Sequence, residues 1–131
     1  MSSATAKFLS LSVAQLGVGP HATQLLHELQ GAIRAKLPAT AIILAATLVD
    51  VIRHEDQVFS FDAEDDEFIS DGFDYLPLAD RKKLDWLRTM RNQLVHYDGP
   101  IEGMMGRPTD STYLAAQADR AIAALFIILE I

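Results

Sequence analysis

Apolar residues in this chain recur at spacings of three and four, and almost nowhere do they alternate. Leu25, Leu26, Leu29, Ala32, Ile33 and Leu37 follow that rhythm, with His27, Glu28, Gln30 and Arg34 on other faces. Leu114, Ala118, Ala121, Ile122, Leu125 and Leu129 repeat it near the C-terminus. A stripe with the 3.6-residue period buries one side of a helix, whereas a half-buried strand needs a period of two. The expected fold is therefore all-α, a bundle of four to five helices. With 131 residues, half of them hydrophobic, one domain spanning 1–131 suffices to build a core.

Punctuation divides the helices. Lys7 followed by Phe8-Leu9-Ser10-Leu11-Ser12-Val13 has a faint signal-peptide look, but serines break the apolar run, and a first helix is expected. Gly17-Val18-Gly19-Pro20 precedes helix two, and Pro38 interrupts it and suits the first turn of helix three, which should reach about Glu55. The nearly uncharged run Leu37 to Val49 is too short to span a bilayer, which needs about 20 residues, so it should be a buried core helix. Helix four is expected over about Ala79 to Tyr97, stopped by Asp98-Gly99-Pro100. A glycine-rich connector, Gly99 to Pro108, then leads to Asp110 or Ser111 as N-cap of the last helix. Phe126, Ile127, Ile128 and Ile131 make that helix apolar almost all round at its end, which favours a homodimer.

The formal charge is −7, which by itself argues against a polyanion ligand. The distribution reverses that argument. Glu55 to Asp74 holds nine of the eighteen acids and no Lys or Arg, so the rest of the chain is slightly basic. Periodicity also fails from Asp56 to Pro77, where acids mix with Phe59, Phe61, Phe68, Phe73 and Tyr75. A long acidic loop is expected there, with part of it packed through its aromatics. The order of acids is not that of a calcium loop. The absence of cysteine removes disulfides and thiol chemistry and suits a cytoplasmic, membrane-free setting.

Five of the eleven basic residues, Arg81, Lys82, Lys83, Arg88 and Arg91, crowd into helix four. At about 100° per residue, Leu84, Leu87, Arg91, Leu94 and Val95 fall on the core-facing arc, while Arg81, Arg88, Asn92 and His96 form a second strip that includes Asp85. A guanidinium on an apolar face must answer to a buried acid, a helix C-terminus or a ligand anion. An Arg and a His are also what metal-free phosphodiester cleavage needs, one to hold phosphate and one to move protons. Arg-x4-His spacing arises by chance about once in five such chains, so its context has to carry the reading. On a straight helix Arg91 and His96 point roughly 140° apart, so fraying at the helix end or a second protomer is needed to bring them to one ligand.

Arg91-Asn92-Gln93-Leu94-Val95-His96-Tyr97 resembles the Arg-x(4 to 6)-His motif of HEPN domains, in which Asn often follows Arg. A small helical bundle, a long loop before the motif helix and an apolar closing helix extend the likeness. The resemblance implies a metal-independent endoribonuclease without a cofactor, dimeric, and in many relatives the toxin paired with a nucleotidyltransferase-like antitoxin. It implies that Arg91 binds the scissile phosphate, that Asn92 orients it or His96, and that His96 is general acid or base as the RNA 2′-hydroxyl attacks. Arg81, Arg88 and Tyr97 would contact the neighbouring substrate. The chain departs from some toxins, which carry a modified Tyr two positions after the His, because Asp98 stands there. Some lineages are non-catalytic, so an interaction or nucleotide-binding module is the alternative.

Other chemistry has less behind it. His21, His27 and His54 lack metal-ligand spacing, and Gly17-Val18-Gly19 follows no strand, so neither a metal site nor a nucleotide loop is expected. Trp86 is expected to anchor a core or interface rather than stack on a base.

Overall fold

Five helices and a short 3₁₀ turn make up the computed structural model, which describes residues 3–58, 73 and 75–131, with no strand among them. The helices are α1 (Ser3–Leu9), α2 (Pro20–Arg34), α3 (Pro38–Val58), α4 (Leu78–Val95) and α5 (Asp110–Leu129), and the 3₁₀ turn is Val13–Gln15. The all-α reading of the periodicity is correct. The expected first helix is present as α1; it ends at Leu9, and Ser10 follows in a turn with its hydroxyl donating to the Lys7 carbonyl at 2.6 Å.

α3 is the centre of the bundle and packs on α5, α2 and α4. Its sequence explains why: Ala41, Ile42, Ala45, Ala46, Leu48, Val49 and Ile52 are all buried, and a helix apolar on most faces must be surrounded. Phe8, Leu26, Leu29, Leu87, Ile122 and Leu125 meet it in the same core, each fully buried and each contributing roughly 1.5–3 kcal/mol of transfer free energy. α5 is long and apolar enough to cross a membrane by length and composition, but in this fold its Leu114, Ala118, Ala121, Ile122 and Leu125 are buried, and it packs on α3, α1 and α4. α1 covers much of the apolar end of α5, with Phe8 and Phe126 rings 6.4 Å apart and Lys7 over the Phe126 ring.

Side chains from other helices satisfy the helix ends. Pro20 opens α2, Gly19 has no side chain to cap it, and Glu55 of α3 takes over, its carboxylate accepting the N–H groups of His21 (3.2 Å) and Ala22 (3.0 Å). Asp119 of α5 accepts the Thr5 N–H at 2.8 Å at the start of α1, and buried Gln30 donates to the carbonyls of Phe8 (3.0 Å) and Leu11 (3.2 Å) at its end. α2 stops before Pro38, at a Schellman motif: Lys36 takes φ 60°, its N–H reaching the Ile33 carbonyl and that of Leu37 the Ala32 carbonyl. Leu37, expected on the apolar stripe, is therefore outside the helix and half exposed.

α3 continues past Glu55 to Val58, so the helix takes the first residues assigned by sequence to the acidic loop 56–77. Of that loop, 59–72 and 74 lie outside the described residues, and the expectations for Phe59, Phe61 and Phe68 lie there too. Phe73 is buried, with the Arg53 guanidinium 5.7 Å from its ring centre, whereas Tyr75 is exposed. At α5 the N-cap is Thr109, not Asp110 or Ser111. Asp110 instead turns its carboxylate back on the connector, accepting the N–H groups of Met105 (3.0 Å) and Arg107 (2.9 Å).

Candidate functional site

α4 sets the candidate site because its middle turns are anchored and its last is not. Leu84, Leu87 and Met90 are buried and Leu94 is half-buried, but Val95, assigned by periodicity to the core-facing arc, is 46% exposed. The arc runs out because the helix does. His96 is the C-cap, in extended conformation (φ −118°, ψ 115°), and only its backbone N–H still reaches back, to the Asn92 carbonyl at 3.0 Å. α4 thus ends two residues before the expected Tyr97, and His96 and Tyr97 are exposed beyond it.

Arg91 is half-buried at the seam between α3 and α4. Its Nε donates to Oδ1 of the exposed Asn92 at 3.1 Å, and it makes no ion pair among the described residues. The single ion pair among the described residues, Arg107 to Glu102 at 3.4 Å, is elsewhere. No carboxylate among the described residues pairs with Arg91. Arg88, assigned by sequence to the other strip, is exposed and also reaches the seam, beside Asp50 of α3. Arg81 is half-buried, its Nε has no hydrogen-bond partner among the described residues, and it makes no pair with Asp85.

Outward from this seam lies an open cleft of about 410 Å3, lined by Arg91, by Thr47, Asp50, Val51, His54 and Glu55 of α3, and by His21 at the start of α2. His96 does not line it. The imidazoles that share a cleft with Arg91 are therefore His21 and His54, which lack metal-ligand spacing in the sequence. Sequence did carry a signal for one side of it: Thr47, Asp50 and His54 interrupt the apolar helix α3 at spacings of three and four, which puts polar groups on one stripe.

The electrostatics of the cleft are mixed but unequally engaged. The Glu55 carboxylate is spent on the α2 N-terminus. Asp50 uses its backbone carbonyl, which accepts from His54 Nδ1 at 2.7 Å; this fixes the ring and assigns the proton to Nδ1. His54 Nε2 accepts a hydrogen bond from Nη2 of Arg53 at 3.4 Å. Among the described residues no group of three or more His, Asp or Glu side chains is placed to hold a metal ion. Trp86 is half-buried with the Arg120 guanidinium 3.9 Å over its ring, so that face is already occupied. Comparison with known proteins finds no family model, no curated protein and no solved structure that matches this chain.

Proposed function

We propose that the chain is a HEPN-type, metal-independent endoribonuclease acting as a homodimer, with the acidic segment before α4 in the place of the variable HEPN loop. The observation that carries this reading is Arg91: a half-buried guanidinium steadied by Asn92, without a carboxylate partner among the described residues, facing an open cleft. Such a group is ready for an oxyanion, and its planar fork matches the geometry of phosphate. In the proposed reaction Arg91 holds the scissile phosphate and Asn92 orients it. The RNA 2′-oxygen bonds phosphorus, the bond to the 5′-oxygen breaks, His96 serves as the proton-transfer group, and a 2′,3′-cyclic phosphate and a 5′-hydroxyl result. Arg81, Arg88 and Tyr97 contact the flanking strand.

The dimer is part of the proposal because His96 lies outside the Arg91 cleft of its own protomer. Val95 and Tyr97 on either side of it are exposed apolar side chains, the kind of surface a second protomer covers. A paired nucleotidyltransferase-like antitoxin and a cytoplasmic setting belong to the same proposal. The competing reading, a non-catalytic interaction or nucleotide-binding module, draws on that same separation of His96 from Arg91. Incubation of the purified protein with structured RNA in EDTA decides between them. Cleavage lost in both Arg91→Ala and His96→Ala supports the enzyme, and RNA left intact by the wild type supports the module.

A further inference from the structure

Two histidines outside the Arg-x4-His motif line the cleft into which Arg91 opens. His54 is held more firmly than an incidental surface histidine. Its Nδ1–H is bound to the Asp50 carbonyl at 2.7 Å, one turn back on α3, and that bond sets both the ring orientation and the tautomer. Arg53, whose guanidinium sits against the buried Phe73 ring, is a second cation beside the ring and donates to Nε2 at 3.4 Å. His21 stands across the cleft on the first turn of α2. Against these stand the carboxylates of Asp50 and Glu55, the second of which is turned toward the α2 N-terminus by the His21 and Ala22 N–H groups it accepts.

We infer that Arg91, His54 and His21, from three different helices, form a binding site for a phosphate group, and that His54 is a further catalytic residue of the reaction proposed above. In that reaction the 2′-hydroxyl displaces Arg53 Nη2 from Nε2 of His54, and its proton passes to Nε2 as the 2′-oxygen bonds phosphorus. The bond from phosphorus to the 5′-oxygen breaks, the 5′-oxygen takes its proton from the His96 imidazolium of the second protomer, and the two imidazoles exchange protons with water to reset. His96 is then confined to the donor role, and the accepting imidazole comes from α3. The assignment rests on the RNA-cleaving reading for its chemistry, but the phosphate site stands on the cleft alone.

Two measurements on the full chain separate the two. In the first, inorganic phosphate is titrated while the imidazole proton resonances of all four histidines are followed by NMR. The expected result is saturable shifts of His54 and His21, with affinity reduced about tenfold or more in Arg91→Ala and in His54→Asn, whose amide can keep the bond to the Asp50 carbonyl. Phosphate that leaves both resonances in place, or moves them equally in Arg91→Ala, overturns the site whatever happens to RNA. In the second, RNA cleavage by His54→Asn is compared with wild type. A loss of about a hundredfold or more is expected, with helicity unchanged. Wild-type rates in His54→Asn would overturn its catalytic role and leave the endoribonuclease reading intact. Saturable phosphate shifts in a protein that cleaves no RNA would keep the site and remove that reading.

Discussion

The carboxylate of Glu55 occupies the space that a Cβ on Gly19 would need. Gly19 has φ −68°, a conformation open to any residue, so its smallness serves the approach of Glu55 and not a backbone strain. Glu55→Ala should cost about 1 kcal/mol through the lost cap, and Gly19→Ala a similar amount by displacing the carboxylate. In the Glu55→Ala background the same Gly19→Ala change should become neutral or mildly stabilising, since only chain entropy then remains. A denaturant double-mutant cycle measures the coupling, and additive losses would contradict the contact.

Lys36 closes α2 in the left-handed region, at φ 60°, where helices commonly place glycine. The side chain there costs roughly 1–2 kcal/mol, so Lys36→Gly should raise stability by about 1 kcal/mol and the melting temperature by a few degrees. Calorimetry that gave a lower melting temperature for Lys36→Gly would show that its ammonium or methylene stem makes a larger contribution than its backbone strain.

Gln30 ties α2 to α1 from within the core. Gln30→Leu keeps the volume but strips the Phe8 and Leu11 carbonyls of their donor, at a cost of about 1–3 kcal/mol. Limited proteolysis should release the N-terminal segment faster in this variant, and unchanged protection would contradict that tie.

Tyr75 should titrate above the ordinary tyrosine value. Its partial burial disfavours the phenolate first, and the carboxylates of Glu130 and then Asp56 add repulsion. The folded state thus holds its proton to higher pH than the unfolded chain does. The contribution to stability is complete below about pH 10 and is lost as pH rises through the folded value. An absorbance titration assigned with Tyr75→Phe should show this, and Glu130→Gln should lower the midpoint. A Tyr75 midpoint at or below that of free tyrosine would contradict it.

The helices were legible in the sequence because the signals are local. Pro20 and Pro38 begin α2 and α3, and the 3.6 period marks the buried faces of α2 and α5. Errors fell where local rules compete. Val95 obeys the periodicity of α4, but the helix ends on it and no core lies beyond. Asp110 is a good cap in isolation, yet the connector N–H groups claim its carboxylate. Arg91 was legible as an anomaly, an always-charged side chain on an apolar arc. Its neighbours His21 and His54 were not, because they come from α2 and α3, and no spacing along the chain encodes a cleft assembled from three helices.

The central claim is that Arg91 answers to the phosphate of an RNA chain, and cleavage of structured RNA in excess EDTA by wild type and Arg91→Ala tests it most directly. The account predicts cleavage by the wild type with 2′,3′-cyclic phosphate ends, and a rate lower by about 10²–10³ in Arg91→Ala at unchanged helicity. Equal rates in the two proteins, or intact RNA in both, would contradict it.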